Sequence, residues 1–454
     1  MLSGKAATKI VLVMATIMIL VGVSGAWRYF TSIHERVGNG DLRLFRGVFE
    51  IVKKSYVEEV NSKKLLEGAI NGMLASLDPH SAYLPPEPYS EMKVEMSGSF
   101  GGLGIEITIN DGKLTVIAPI EDTPAWRAGI QSGDHIWKID DKPTRGLTIT
   151  EAVKRMRGPK DTRVTLAVLR NGEGKPRVFP LVRDIIKTKS VRSRTLEPGY
   201  GYARISQFSE RTGEEFKAVL ERLRSDNGGN LKGLVLDLRN NPGGLLDMAV
   251  AVAGRFVGGK MEDGLVVSIK GRGPLDTRDL YASLGQKEPV YPLVVLVNGG
   301  SASASEIVAG ALQDHGRAVI MGTQTFGKGS VQSVIPLRDN AGLKLTTARY
   351  YTPKGRSIQA KGITPDIVVP RADMETAAKP KEKERPFSEA DLENHLTPDS
   401  SKKQETQPPG EVKKQPTPLP LLGEDAAKDN QLLRAVELLK GWQAVRKVSG
   451  SGGR

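Results

Sequence analysis

The chain has 454 residues, with 65 Lys or Arg against 52 Asp or Glu, which gives a formal net charge of +13 at pH 7. A chain of this length is expected to form about two to four domains. It contains no cysteine, which excludes disulfides, a thiol nucleophile and thiolate-bound zinc. Most of the positive excess lies between residues 97 and 370 and forms no long basic run, so we expect no nucleic-acid partner.

The N-terminus predicts export. Lys5 and Lys9 precede a largely apolar run over residues 10–27. A basic flank followed by such a run is typical of a secretory signal peptide or of an uncleaved membrane anchor, and the length of the run leaves both open. We therefore expect the rest of the chain in the periplasm or cell envelope, attached to the cytoplasmic membrane if residues 1–27 are retained.

The hydrophobic pattern predicts three folded parts after this segment. Residues 38–96 form a helical region, because apolar residues recur at intervals of three and four from residue 42 to 77. Residues 97–184 contain short alternating runs broken by Asn-Asp-Gly and Arg-Asn-Gly turns, which indicates a β-rich module. Residues 185–370 alternate strands with helices, the pattern of an α/β core.

The C-terminal region predicts a tether and one helix. Residues 371–425 are proline-rich and polar, so we expect a flexible linker there. Residues 426–447 carry an apolar stripe at helical spacing. A lone stripe of this kind needs a partner, most simply a second copy of itself. Together with the helices at 42–77 it leads us to expect a homo-oligomer, whose number of copies the sequence does not give.

The first motif with a chemical meaning is residues 297–306 (VNGGSASASE), where a buried-type strand stops at paired glycines and a small-residue segment enters a helix. A serine at a helix N-terminus lies among unpaired N–H groups that favour a developing oxyanion. Ser301, Ser303 or Ser305 would equally suit a simple helix cap. Taken alone, this motif leaves nucleophile and cap open.

The second motif is residues 322–329 (GTQTFGKG), which matches most of a Walker phosphate loop. Gly329 stands where that loop needs Ser or Thr, and the following residues alternate like a strand. An ATPase is therefore the weakest alternative. Lys328 is then either a surface lysine or a base, since desolvation lowers a lysine pKa by up to about 3–5 units. Gln332, four residues on in a β-like stretch, falls on the same face and would orient it.

Histidine and metal chemistry are not predicted. His315 lies twelve residues after Ser303 at the far end of the same predicted helix, roughly 18 Å away, which is too far for a general base. The five histidines show no paired-ligand spacing, so we expect no metal. Residues 234–244 run from a strand into a glycine turn, which would supply N–H groups to an oxyanion or would be an ordinary strand-to-helix turn.

Together these segments resemble the C-terminal processing (tail-specific) proteases, serine peptidases with a Ser/Lys dyad and an inserted PDZ domain. The resemblance covers residues 40–370, and the segments that carry it are 298–312, 325–332, 237–244 and, further on, 388–396. It implies that Ser303 is the nucleophile, Lys328 the base and Gln332 the residue that orients the lysine. It also implies that the backbone N–H groups of Gly244 and Ala304 form the oxyanion hole, and it implies no cofactor.

The β-rich module is similar to a PDZ domain. The resemblance implies that the loop residues Gly102, Leu103, Gly104 and Ile105 hold the terminal carboxylate of a substrate whose chain adds as a strand. Expected partners are polypeptides with accessible C-termini, and the family also allows for an adaptor or activator protein.

The expected fold is therefore a multidomain α/β (α+β) protein, with a β-rich PDZ domain inserted ahead of an α/β serine peptidase core and helical segments at both ends. The expected function is a serine endopeptidase that processes or degrades exported proteins through an acyl-enzyme, with the PDZ domain gating activity. A non-catalytic PDZ scaffold is the main alternative.

Overall fold

A computed structural model describes residues 39–170, 175–258, 264–273, 275–283, 287–371, 387–397 and 429–451. The predicted export segment, residues 1–27, lies outside the described residues, and so do residues 372–386 and 398–425 of the predicted linker and residues 426–428 of the predicted C-terminal helix. Within the described part, no helix is both long and apolar enough to cross a bilayer. The chain divides into one unit that ends at Leu74 and a second that begins at Ala75.

The first unit contains the two expected helices, α1 (Asn39–Ser55) and α2 (Ser62–Ala75). Helix α1 has an acidic residue in its first turn and two lysines in its last, which complements the helix dipole. Helix α2 begins where the Asn61 side chain accepts the N–H groups of Lys63 and Lys64. The exposed apolar side chains of α1 are Leu42, Leu44, Phe45, Val48 and Ile51, whereas Phe49 and Val52 are half-buried.

The second unit opens with β1 (Ala82–Leu84) and α3 (Pro86–Ser97), followed by the predicted β-rich module. The strands of that module are β2 (Ser99–Gly102), β3 (Ile105–Asn110), β4 (Lys113–Pro119), β5 (His135–Ile139), β6 (Lys142–Pro143), β7 (Arg163–Leu169), β8 (Arg177–Val182) and β9 (Asp184–Lys187). Its helices are the short α4 (Pro124–Arg127) and α5 (Ile149–Met156). Thr148 and Glu151 form a reciprocal capping box that starts α5. The module has a hydrophobic core of its own, so the prediction of a separate β-rich part is confirmed.

The module is built on an antiparallel sheet of order β3-β4-β5-β7-β8, with β6 paired to β5. Strand β2 pairs with β9, so the segment that enters the module and the segment that leaves it lie side by side. This pairing lets the module be inserted into the chain with both connections at one place.

The α/β core follows in the order expected from the sequence. Its strands are β10 (Val191–Glu197), β11 (Tyr200–Ile205), β12 (Gly233–Asp237), β13 (Leu265–Lys270), β14 (Thr277–Tyr281), β15 (Leu293–Val297), β16 (Val319–Gly322), β17 (Ser330–Pro336), β18 (Gly342–Tyr351) and β19 (Ile367–Val368). Its helices are α6 (Thr212–Asp226), α7 (Leu246–Gly254), α8 (Ala304–Asp314) and α9 (Asn430–Ser451).

The main sheet of the core has the order β10-β11-β12-β15-β16-β19, parallel except for β10. Strands β12 and β15 are buried along their whole length, as unbroken apolar runs in a parallel sheet should be. Alternate residues of these strands face opposite layers. Helices α6, α7 and α8 cover one face, and α9 covers the other.

Helix α9 differs from the expectation of a stripe left for a second copy. Leu432 and Leu439 are 4% and 1% exposed because they pack against Val235, Val294 and Leu296 of the chain's own sheet. The sequence pattern shows which face of a helix is apolar, and it does not show what covers that face. The linker prediction also fails at residues 387–397, where the buried side chain of Glu389 joins the core.

The core also contains a second sheet, which is antiparallel and centred on β18. Strand β18 pairs with β17 along one edge, and with β1 and β13 at the two ends of the other edge. Strand β14 extends β13. Strand β17 of this sheet contains Gln332 and begins two residues after Lys328.

Candidate active site

Ser303 is placed at the N-terminus of α8 by a short loop after the buried strand β15. Its φ of 55° is in the left-handed region, which a serine seldom adopts and which is frequent at functional positions. Ser301 and Ser305 are fully buried and donate to the carbonyl oxygens of Leu238 and Asn241, at 2.8 and 2.9 Å. The two outer serines therefore hold the loop together, and Ser303 is the one of the three that is partly exposed.

The glycine turn after β12 lies directly against Ser303. A Cβ on Gly243 would come within 2.9 Å of the Ser303 Cβ and 2.8 Å of the Ala302 oxygen, and a Cβ on Gly244 would come within 2.1 Å of the Phe208 oxygen. Both glycines also have positive φ, 104° and 137°. Only glycine fits this approach, so the turn is shaped to lie beside the serine.

Two backbone N–H groups beside Ser303 are available to an incoming group. Ala304 is the first residue of α8, where the helix supplies no acceptor for the N–H. Among the described residues, neither the Ala304 N–H nor the Gly244 N–H has an acceptor. Two unpaired N–H groups around a partly exposed serine are the arrangement that an oxyanion hole requires.

A carboxylate that the sequence reasoning missed joins the Ser303 segment to the Lys328 loop. Glu306 is completely buried, and its Oε2 accepts the Ser303 N–H at 2.8 Å and the Lys328 N–H at 2.9 Å. Its Oε1 accepts the Gly327 N–H and the Thr325 hydroxyl. Because one oxygen accepts both N–H groups, the backbone nitrogens of Ser303 and Lys328 are held close together. The signal was present in the sequence, because Ser303 and Glu306 have the Ser-x-x-Glu spacing of a capping box.

Burial shifts the pKa of both ionisable groups at this junction. Desolvation raises the pKa of Glu306 to about 7, although the four hydrogen bonds that its carboxylate accepts act in the opposite direction. Desolvation lowers the pKa of Lys328, and the charge of Lys344 lowers it further, against the attraction of Glu389, Glu306 and Asp78. A lysine with a lowered pKa is partly neutral at a lower pH than a surface lysine, so it is suited to accept a proton.

The loop around Lys328 is fixed by the segment that follows β18. A Cβ on Gly329 would lie 2.3 Å from the Gln359 nitrogen, and a Cβ on Gly327 would lie 3.2 Å from the backbone of residues 360–362. The side chain of Gln359 accepts the Gly329 N–H at 3.0 Å and donates to Glu389 at 3.0 Å. Glu389 in turn pairs with His80 at 2.7 Å. Three segments that are far apart in the sequence therefore support the lysine.

Lys328 lies outside the strand that was predicted to place it on one face with Gln332. Strand β17 begins at Ser330, and its register with β18 shifts between Val331 and Gln332, where Thr347 is the extra residue on β18. The Gln332 amide donates to Ser330 Oγ at 2.8 Å and more weakly to Thr346 Oγ1 at 3.4 Å. The role of Gln332 as the residue that orients Lys328 stays a prediction.

The structure leaves the two other catalytic ideas without support. The Walker-like segment enters strand β17, so it lacks the helix N-terminus that binds phosphate. His315 is the C-terminal cap of α8, and its Nε2 lies 2.7 Å from the Leu265 oxygen. No cluster of His, Asp and Glu that would hold a metal is found in the part of the chain that the structure describes.

The loop predicted to bind a substrate tail joins two strands of the β-rich module. Gly102 ends β2, Ile105 begins β3, and Leu103 and Gly104 lie between them. The Leu103 side chain is buried in the module, while the N–H groups of Leu103 and Gly104 have no acceptor among the described residues. Gly104 has a φ of 75°, and a Cβ there would lie 2.3 Å from the Thr123 Cβ, so only glycine fits. The loop thus exposes backbone donors, and carboxylate binding there stays a prediction.

Comparison with known proteins gives the class. Residues 199–369 match peptidase family S41, residues 115–170 match a PDZ domain, and residues 31–87 match the N-terminal domain of the activating protease CtpB. The fold and the matched regions thus define a PDZ-containing, serine-type peptidase of family S41.

The individual relatives are more specific. The chain is 48% identical to a carboxy-terminal-processing protease of Bartonella bacilliformis, over 81% of this chain and 83% of the relative. It is 36% identical to the carboxy-terminal processing protease CtpB of Bacillus subtilis, over 72% and 68%. The solved photosystem II D1 C-terminal processing protease shares 32% identity over 72% of this chain and 92% of its own, with a TM-score of 0.41. The chain belongs to the carboxy-terminal-processing protease family.

Proposed function

We propose that this protein is a serine endopeptidase that captures the C-terminal tail of exported polypeptides through its PDZ domain and cleaves them with Ser303 and Lys328. The single observation that carries the proposal is the buried Glu306 carboxylate, which binds the backbone N–H groups of both residues through one oxygen. The two unpaired N–H groups beside Ser303 support it. The apolar run over residues 10–27 favours action in the periplasm or cell envelope.

The proposed reaction uses a neutral Lys328 amine. The amine takes the proton of Ser303 Oγ as that oxygen attacks the peptide carbonyl carbon, and the N–H groups of Gly244 and Ala304 stabilise the oxyanion. The Lys328 ammonium then gives its proton to the departing amine, which leaves an ester on Ser303. Lys328 next takes a proton from water as the water attacks the ester, and it returns this proton to Ser303 when the new carboxylic acid leaves.

In this scheme Gln332 orients the Lys328 amine, and the PDZ loop, residues 102–105, holds the substrate carboxylate. Binding of the tail places the adjoining chain at the core, so the PDZ domain gates cleavage. A homo-oligomer, with α1 and α2 as contact surfaces, is part of the same proposal.

Replacing Ser303 or Lys328 by Ala is expected to lower cleavage of an unfolded polypeptide by about a thousandfold or more, because each substitution removes a group that the chemical step needs. Lys354→Ala, which changes an exposed lysine after β18, is the matched control and should retain wild-type activity. Gel or mass-spectrometric cleavage assays without nucleotide provide the measurement. Undiminished cleavage by both variants would eliminate the dyad, and cleavage that needs ATP would favour the Walker reading. Tail binding with no cleavage by the wild type would favour the scaffold.

The rate should rise with pH and level off below the range of an ordinary lysine. Only the neutral amine accepts a proton, and burial lowers the pKa of Lys328. Ionisation of Glu306, whose pKa is about 7, acts in the same direction because the carboxylate holds both loops. Measured kcat/KM between about pH 5 and about pH 11.5 tests this, with an unperturbed lysine pKa of ~10.4 as the reference. A rate that still climbs through that value would contradict a desolvated base.

A further inference from the structure

An open cavity of about 500 Å³ lies where strand β18 has no neighbour along part of one edge. On that edge β1 pairs with residues 342–344 and β13 with residues 349–351, so the intervening residues 345–348 have no strand partner among the described residues. Thr346, Thr347 and Ala348 line the cavity at this gap. The opening therefore follows from the topology of the antiparallel sheet. We call this cavity the β18 groove.

The β18 groove adjoins the candidate active site. Thr346 lines the groove, accepts a hydrogen bond from the Gln332 amide at 3.4 Å, and donates to the buried Asp78 carboxylate at 3.0 Å. At the other end of the gap, Arg349 lines the groove and is the register partner of Ser330, two residues after Lys328. A polypeptide held near Lys328 therefore has this groove within reach of its flanking side chains.

The groove is cationic. Lys270 and Arg349 are direct register partners in the antiparallel β13–β18 pair, and Arg272 joins them from the hairpin after β13. None of the described residues that line the groove is acidic. The nearby Asp276 carboxylate is engaged by the Gly273 N–H at 2.8 Å within the hairpin.

The groove also offers hydrogen-bond donors, which suit a carboxylate better than an anion that is attracted by charge alone. The hydroxyl-bearing residues Thr277, Thr346 and Thr347 line it together with the three cations, and the Lys270 ammonium lies 4.5 Å over the Tyr351 ring. Arginine presents a planar fork of donors that matches a carboxylate, and the Thr277 hydroxyl adds a donor, whereas Thr346 donates to Asp78 and Thr347 pairs with Ser333.

We propose that the β18 groove is an anionic-side-chain subsite, which binds the carboxylate of a substrate residue flanking the scissile bond. This inference rests on the proposed peptidase function, and it adds a specificity for acidic residues near the cut. A carboxylate reaches the groove either as an Asp or Glu side chain or as the free C-terminus of a short tail. The side chain is favoured because the proposed reaction assigns the C-terminus to the PDZ loop.

The experiment uses the full chain and peptides built on a cleavage site that is first mapped in an unfolded polypeptide. In one series a single Glu is moved through three positions on each side of the scissile bond, and each peptide is matched with its Gln counterpart. A second series carries a free or an amidated C-terminus at the same distance. We expect about a tenfold higher kcat/KM for Glu over Gln at one position, and a preference that weakens as salt is raised.

The matched variants are Arg272→Glu and Arg278→Glu. Thr277 lines the groove, so its neighbour Arg278 in β14 points to the other face and serves as the control. Arg272→Glu should abolish or reverse the Glu preference and leave the Gln peptide within about twofold, while Arg278→Glu keeps the preference. Equal rates for Glu and Gln at every position, an equal effect of both variants, or dependence on the free C-terminus alone would overturn the proposal. Failure of the peptidase function is distinguishable, because then wild type would not cut any peptide faster than Ser303→Ala.

Discussion

Replacing Glu306 by Gln is expected to lower kcat/KM by about a hundredfold or more while leaving the protein folded. The carboxylate accepts four hydrogen bonds, and its Oε2 alone binds the N–H groups of Ser303 and Lys328. An amide has one acceptor oxygen, and its NH₂ group would face N–H donors on the other side. A hydrogen bond to a charged group contributes about 1.5–3 kcal/mol, so losing two corresponds to about two or more powers of ten in rate.

The control set separates positioning from folding. Glu306→Asp keeps the charge but shortens the side chain, so it should recover part of the lost rate. Glu221→Gln, on the exposed side of α6 with only a 4.0 Å pairing to Lys217, should behave as the wild type. The readouts are kcat and KM separately, thermal unfolding, and the rate at which a serine-directed phosphonate labels Ser303. If Glu306→Gln labels and cleaves like the wild type, the carboxylate does not position the dyad.

Much of the peptidase core follows from local sequence. The buried runs of β12 and β15 predict central parallel strands, and the small residues after each strand predict a close approach of two loops. Ser303 stands out among three serines only in the structure, because Ser301 and Ser305 are buried and donate to carbonyl groups of the segment that follows β12. Local patterns thus indicate the kind of site, and long-range packing selects the residue.

The residues that support the Lys328 loop could not be predicted from the sequence, because they too are brought together by long-range packing. His80, Gln359 and Glu389 come from three segments and meet only through the fold. Glu389 lies in a region whose proline content predicts a linker, and composition averaged over 371–425 hides one short buried stretch. Glu306 is different, because its capping-box spacing to Ser303 was visible and only its second role, as acceptor for the Lys328 loop, required the structure.

The C-terminal helix is connected to the strand that leads into the glycine turn beside Ser303. Arg239, 2% exposed, follows β12 and donates to both oxygens of Asp237. The same guanidinium donates to Asp429 and to Gln431 at the start of α9. Since residues 240–244 form the turn beside Ser303 and follow Arg239 directly, Arg239 anchors both this turn and the docked helix.

Replacing Arg239 by Met is therefore expected to destabilise the fold by about 3–5 kcal/mol, since it leaves the buried Asp237 carboxylate without its main cation. Arg204, with its Nη1 3.8 Å from Asp237, is the remaining positive group and places the loss toward the lower end of that range. Asp429→Asn should be milder, because the Arg239–Asp237 pair stays intact while the link to α9 weakens. Denaturant midpoints give the free energy of unfolding, and limited proteolysis between residues 398 and 428 followed by gel filtration reports whether α9 leaves the core.

Arg434→Ala is the control for this second prediction, because Arg434 lies on the exposed face of α9 and pairs only loosely with Glu437, at 4.0 Å. It should leave stability, helix docking and cleavage unchanged. If Asp429→Asn releases α9 and also lowers kcat without changing KM, the helix covers the sheet and also keeps the glycine turn beside Ser303 in the geometry that catalysis needs. If Arg239→Met unfolds at the wild-type midpoint, the buried ion pair contributes nothing net, and the docking of α9 rests on its other contacts, chiefly the apolar packing of Leu432, Ala435 and Leu439.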